Sequence, residues 1–395
     1  MSAAMVGDGA VRPEVTRAEA VRERPRFDVV LLMAVLLLMA LGVVMVYSAS
    51  AMMAAAKQGD GFYFARRQLL FVAVGIGAMA LMMRVGYRRL EDWALPLLAV
   101  SFGLVILTLM PGLGLRMNGA QRWLRLPGLQ LQPTEFAKLA LCAYLARSVT
   151  LKGGSELRTL TVGVAPHFFV VGLLSSVVLL QPDFGTVMVM FAVTLAVLFV
   201  AGAPMRHVML VLVGALPAVW WLVSSSAYRM RRIQAFLDPF SDRFGKGYQV
   251  VESMISVGSG GLTGKGLGSG PQKLGYLPEG HTDYILASVG EELGLLGIAL
   301  VLGLIWVVIW RGLRAARLAS DPFGCYLAYG ITALIAIEAM VNAGMCLGLL
   351  PSKGLALPFV SYGGTSIVKM ALAAGVLLSV SEGRGGYVVP VGADR

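Results

Sequence analysis

The chain has 395 residues, 57% of them apolar and only 14% charged, with a net charge of +11. So little polar surface excludes a soluble protein of this size and implies an integral membrane protein. The basic residues are scattered between apolar runs, which fits membrane topology better than nucleic-acid binding. Cys142, Cys325 and Cys346 lie far apart in apolar surroundings and suggest neither a disulfide framework nor a metal site.

Residues 1–26 hold no aromatic side chain and alternate acid with base, so residues 1–27 read as a disordered cytoplasmic tail. Ten apolar runs follow, at 28–50, 66–84, 93–111, 133–148, 160–180, 184–202, 206–225, 282–310, 323–349 and 357–380. They predict an all-α polytopic membrane domain over 28–380, with about ten transmembrane helices and a short cytoplasmic tail at 381–395. The first run ends YSASA, faintly like a signal peptidase site, but it is long enough to span and reads as a retained anchor. Arginines and lysines before the first run and in alternate short loops (Arg84, Arg88, Arg89, Arg147, Lys152, Arg158, Arg206, Arg311, Arg314, Arg317, Arg384) put both termini in the cytoplasm.

The first polar cluster lies in NGAQRWLRLPGLQLQPTEFAKLALCAYLAR, residues 118–147. Glu135 and Lys138 are three apart on the fourth helix, share a face and can pair, either as a structural ion pair or as part of a site. Arg122 and Arg125 precede them on the outer side. Trp123 fits an interfacial anchor or a cavity wall. The fifth and sixth helices are separated only by QPDFG, a tight turn or a break in a re-entrant pair.

Residues 226–281 form one large extracytoplasmic loop between helices seven and eight. Residues 248–257 suit a short amphipathic or re-entrant helix. Residues 258–270 carry glycine at seven of thirteen positions and read as irregular. A phosphate-loop reading of GKG fails, because Ser259 stands at the first glycine position and Gly266 follows Lys265.

The eighth helix opens with YLPEGHTDYILASVGEELG, residues 276–294. Pro278 ends regular helix on the upstream side, and His281 or Thr282 is the expected cap. Asp283 is then expected in the first turn, where the positive helix end favours a carboxylate; it suits a cap-region charge or a functional acid. Glu291 and Glu292 fall about 12 Å deeper and need protein or water partners. Glu338 and Asn342 are four apart on helix nine, and Lys369 on helix ten must pair or snorkel. The stretch PSKGLALPFVSYGGTS, 351–366, breaks helicity and offers Lys353, Ser361 and Tyr362 near the outer surface.

The sum is an outward-facing cavity with acids and cations at one depth. It suits a transporter or an enzyme acting on lipid-linked substrates at the outer leaflet. The concentration of polar groups at the outer ends favours the enzyme.

At YLPEGHTDYILASVGEELG, QPTEFAKLALCAYLA, GAQRWL, FLDPFSDRFGKGYQV and GLLPSKGLALPFVSYGGTS, the chain resembles the SEDS family of bacterial cell-wall polymerases (shape, elongation, division and sporulation). The resemblance covers about residues 28–382. LLPSKGLALPF is closer to the division members than to the rod-elongation members. Gly280, Thr134 and Thr365 depart from the usual Ala, Ser and Ser without removing a charge or nucleophile.

The resemblance implies a glycosyltransferase that polymerises lipid II into glycan strands during septal wall synthesis and releases undecaprenyl diphosphate. It implies a class B penicillin-binding protein, the septal transpeptidase, and other division proteins as partners, in the bacterial cytoplasmic membrane. Asp283 matches the family's essential carboxylate. Trp123, Glu135 and Lys138 match cavity residues, with Arg122, His281 and Ser361 beside them, and the 226–281 loop matches the family's mobile fourth extracellular loop. Lipid II flipping and the elongation role are the alternatives. Glycosyl transfer needs a base, and Arg, Lys or a divalent cation such as Mg2+ or Mn2+ can stabilise the departing diphosphate. With no second carboxylate at nucleophile spacing, a single inverting displacement is the simpler expectation.

Overall fold

The computed structural model describes residues 27–117, 120–126, 129–225, 230, 234, 236–243, 245, 247–270 and 277–383. The expected tails at 1–26 and 384–395, and five of the seven basic residues between 229 and 273, lie outside the described residues.

The helices run α1 Val29–Gln58, α2 Tyr63–Val85, α3 Arg89–Leu107, α4 Pro133–Leu157, α5 Ala165–Leu180, α6 Phe184–Val200, α7 Met205–Ser224, α8 Tyr248–Gly260, α9 Ile285–Arg317, α10 Pro322–Cys346 and α11 Gly364–Glu382. A π-helical turn, Leu160–Val164, leads into α5. Among the described residues, seven helices are long and apolar enough to cross a membrane: α1, α2, α3, the Leu160–Leu180 unit, α9, α10 and α11. The protein is therefore an all-α multi-pass membrane fold. Of the other expected spans, α6 and the apolar part of α7 are shorter, and α4 interrupts its apolar surface with Glu135, Lys138, Arg147, Lys152 and Glu156.

Burial sorts the helices into centre and rim. In their most apolar stretches α11 and α10 bury 72% and 67% against protein, whereas α3 buries 17%. The centre is thus α10 and α11, with α2 packed along α11 and α4, α6 and α9 along α10. The polar N-terminal ends of α4, α9 and α11 come together around this centre.

Three local features differ from the expectation. Three strands form a small antiparallel sheet in the order β1-β2-β3, with β1 Gly114–Met117, β2 Ala120–Leu126 and β3 Leu129–Leu131. Its register pairs Leu115 with Trp123 and Leu124 with Leu131. The alternation in AQRWLRL is the period of a strand.

The helix expected to open at 282, α9, begins at Ile285. Its N-cap position is Tyr284, without a side-chain cap bond. Asp283 therefore precedes the helix instead of lying in its first turn. The third difference is that α8 extends to Gly260, beyond the expected 257.

The glycine-rich stretch has a structural use. At Gly294, α9 breaks (φ 68°, ψ −163°), a conformation open essentially to glycine. The break frees backbone groups on both sides, and the 261–268 segment takes them up. Lys265 and Gly266 amides donate to the Glu291 and Glu292 carbonyls, both at 3.0 Å, and Leu295 and Leu296 amides donate to Gly261 and Leu262 carbonyls at 2.9 and 3.1 Å. The Gly268 amide and the Ser48 hydroxyl both bind Glu292 Oε2, and Lys265 Nζ lies 3.3 Å from Glu291 Oε1. Both deep acids of α9 thus have partners. A Cβ at Gly264 would stand 2.1 Å from the Glu292 carbonyl oxygen, so only glycine permits this approach.

Candidate functional site

A cavity of about 530 Å³ opens where the small sheet, the 277–284 turn, the 351–356 segment and the N-terminal ends of α2, α4 and α11 converge. Its walls include Arg122, Trp123, Glu135, Asp283 and Lys353.

The turn carrying Asp283 is fixed by its carbonyl groups. Gly280 O accepts from Ser288 Oγ at 2.9 Å, His281 O from the Tyr362 amide at 3.0 Å, Thr282 O from Ser361 Oγ at 2.7 Å, and Asp283 O from Asn342 Nδ2 at 2.8 Å. Four consecutive peptide groups are satisfied from other parts of the chain, so the turn has no need of helical hydrogen bonds. Glu279, at φ 60°, holds the left-handed conformation that turns the chain into this path. Asn342 Nδ2 also donates to Leu355 O at 2.7 Å, tying the same turn to the 351–356 segment.

Arg122, on β2, is held against the α5–α6 connection. Its Nε donates to Gln181 O at 3.2 Å and its Nη2 to Pro182 O at 2.6 Å, with Nη1 3.7 Å from Asp183 Oδ1. QPDFG is therefore a tight turn, with Asp183 capping α6 through the Thr186 amide. Asp283 and Arg122 both border Gly354: a Cβ there would lie 3.3 Å from Asp283 Oδ2 and 3.8 Å from Arg122 Nη1. An acid and a guanidinium thus flank one small space, with the Trp123 ring and Lys353 on its walls. Lys353 Nζ stands 4.8 Å from the Phe184 ring centroid.

Beneath the cavity lies a ring of buried charges. Lys138 Nζ is 2.7 Å from Glu135 Oε1 and 2.5 Å from Glu338 Oε1. Lys369 Nζ is 2.8 Å from both Glu338 Oε2 and Glu135 Oε2. All four residues are buried, and two acids balance two bases. Removing one member of such a set leaves an uncompensated buried charge, at a cost of about 3–5 kcal/mol. Glu135 alone of the four also lines the cavity. Lys138 is engaged behind it.

His281 and Ser361 also stand behind the wall. Ser361 Oγ accepts from the Leu357 amide while donating to Thr282 O. The His281 ring packs on Phe64 and Tyr362, with centroids 4.8 and 5.7 Å away. Burial lowers the His281 pKa from its ordinary value, Glu279 opposing and Lys57 adding to the effect, so the ring is held neutral. Sequence reasoning missed the site roles of Gly354 and Asn342 and the pairing of Glu338 with Lys369.

Among the described residues, no three His, Cys, Asp or Glu side chains gather as a metal-ligand set. Glu135, one of the carboxylates lining the cavity, is already committed to two ammonium groups.

Comparison with known proteins agrees with this architecture. Residues 28–385 match the FtsW/RodA/SpoVE family model, described as cell cycle protein. The chain is 47% identical over 357 residues to a probable peptidoglycan glycosyltransferase FtsW of Trichlorobacter lovleyi, covering 90% of this chain and 93% of that protein. It is 43% identical over 356 residues to stage V sporulation protein E of Bacillus subtilis, covering 90% and 97%. A chain from a peptidoglycan synthase complex that coordinates polymerization and crosslinking superposes with a TM-score of 0.74 at 27% identity, covering 90% and 97%. The rod shape determining protein RodA of Thermus thermophilus gives 0.67 at 27%, covering 91% and 97%. With a family match over nearly the whole membrane domain, the chain belongs to the FtsW/RodA/SpoVE cell cycle proteins, the SEDS polymerases.

Proposed function

We propose that this protein polymerises lipid II into glycan strands at the outer face of the bacterial cytoplasmic membrane, acting in septal wall synthesis beside a class B penicillin-binding protein. The observation that carries the chemistry is that Asp283 and Arg122 both border Gly354, at the wall of a cavity large enough for sugar rings. The septal assignment rests on LLPSKGLALPF and on the division-type relatives, and the crosslinking partner on the likeness to a chain of a peptidoglycan synthase complex. Ten crossings, with α4, α6 and α7 added to the seven helices that are both long and apolar, and cytoplasmic termini complete the reading.

In this mechanism Asp283 takes the proton of the acceptor sugar's hydroxyl. The hydroxyl oxygen attacks the anomeric carbon of the donor, the bond from that carbon to the diphosphate oxygen breaks, and the electron pair leaves with the diphosphate. Arg122 and Lys353 stabilise the charge that develops there, while Trp123 and Glu135 shape the sugar-binding wall. One displacement at the anomeric carbon inverts its configuration.

Asp283→Asn tests the reading. The variant keeps size and the backbone bonds of the turn but loses the base, a loss of about 10²–10⁴ in rate. Purified protein with its transpeptidase partner, given lipid II and assayed by gel for glycan products, is expected to stay folded and make almost no product. Near-normal chains from the Asn variant would end the base assignment. A wild-type protein that moves lipid II across vesicles but forms no glycan would leave flipping as the activity.

A further inference from the structure

We infer that Glu338 and Lys369, on α10 and α11, are positioning residues for the cavity: they complete the charge ring that fixes the Glu135 carboxylate at the cavity wall. This rests on the glycosyltransferase reading above. Neither residue lines the cavity, and each comes from a different helix than Glu135. Yet the two oxygens of Glu135 are claimed separately, Oε1 by Lys138 and Oε2 by Lys369. Lys138 alone would anchor one oxygen and leave the carboxylate free to rotate about its last bond. Lys369 supplies the second contact. Glu338 is needed because it faces both ammonium groups, through Oε1 to Lys138 and through both oxygens to Lys369. Without it, two cations would share one buried acid.

The arrangement is a ring and not two independent pairs, and this has a discriminating consequence. Lys369 touches Glu135 as well as Glu338, and Glu338 touches Lys138 as well as Lys369. Exchanging the charges of Glu338 and Lys369 would rescue a simple pair. Here it would set an acid against Glu135 and a base against Lys138, so no rescue is expected.

The experiment measures melting temperature, lipid II affinity and the kcat and KM of glycan formation for purified full-length protein with its transpeptidase partner. Glu338→Gln and Lys369→Met each unbalance the ring and are expected to lower the melting temperature. Glu338→Gln combined with Lys369→Met restores neutrality while keeping the Glu135–Lys138 contact. It is expected to recover the melting temperature but to bind lipid II more weakly and to lose roughly 10- to 100-fold in kcat/KM, the scale of a small misplacement at a site. Lys369→Arg keeps the charge in a wider head group and is expected to fold normally with raised KM. A merely structural ring predicts recovery of binding and turnover along with stability. Wild-type affinity and kcat/KM in the double variant, or in Lys369→Arg should the double variant not fold, would overturn the inference, as would full rescue by the charge exchange. Lipid II affinity needs no turnover. If wild-type protein forms no glycan, the catalytic reading falls while the affinity series still decides the ring.

Discussion

Replacing Gly294 with alanine tests whether the glycine-rich segment is a fitted part of α9. The native φ and ψ of 68° and −163° cost a non-glycine residue about 1–3 kcal/mol. Space compounds the strain: the new Cβ would lie 2.4 Å from the Gly264 amide nitrogen and 2.5 Å from the Leu262 carbonyl. The helix can relieve both only by straightening and expelling the 261–268 segment. Its four cross-break hydrogen bonds would then be lost, each worth about 0.5–1.5 kcal/mol net. Together with the strain this comes to about 3–9 kcal/mol, less whatever a straightened helix regains through its own bonds. The assay is amide hydrogen exchange on detergent-purified protein, with limited proteolysis across 261–270. The Lys265 and Gly266 amides are expected to lose protection and the segment to become cleavable, while α10 and α11 keep theirs. Unchanged protection of those two amides would refute the reasoning.

Gly354→Val should fold but place methyl groups between Asp283 and Arg122, lowering kcat/KM by roughly 100-fold with little change in melting temperature; wild-type turnover would show that the reaction does not use this space. His281 carries a depressed pKa in the folded protein, so the unfolded chain binds the proton more readily. Its contribution to stability is therefore present above the ordinary histidine value of 6.5 and is lost as pH falls below it. Melting temperature should drop from pH 7 to pH 5, and His281→Gln should flatten that slope; an equal slope in the variant would count against a buried neutral ring. With the native cysteines replaced, a cysteine at Ser241 should react with an impermeant reagent on intact cells; labelling only after lysis would reverse the orientation.

Seven of the ten expected spans are helices long and apolar enough to cross a membrane among the described residues, legible because length and hydropathy are nearly all such helices need. Asp28 and Gly59 bound α1 with a side-chain cap and a left-handed turn, so the first span extends past the expected 50. The start of α9 was misplaced because its turn is satisfied by Ser288, Asn342, Ser361 and Tyr362, and three of these four stand some 60 to 80 positions away in sequence. The strand period of AQRWLRL was present but was read only as a charged approach to α4. Of the candidate site residues, Asp283, Arg122, Trp123 and Glu135 meet at one cavity. Lys138, His281 and Ser361 hold that wall from behind. Lys369 needed a partner by the cost of a lone charge at depth, but no spacing rule reveals that it shares Glu338 and Glu135 with Lys138, because the four come from three helices.

One buried amide, that of Asn342, grips the Asp283 peptide with one hydrogen bond and the Leu355 peptide with another. The candidate base and the segment that follows Gly354 are therefore linked through one side chain, and they cannot part without breaking at least one of these bonds inside the protein. The facing wall comes from another part of the chain. Arg122 and Trp123 ride on the small sheet, which is moored to the α5–α6 turn. The sheet is tied in turn to α11, where Thr365 Oγ1 donates to Gln130 O, so both walls of the cavity are cross-braced by side chains from distant parts of the sequence.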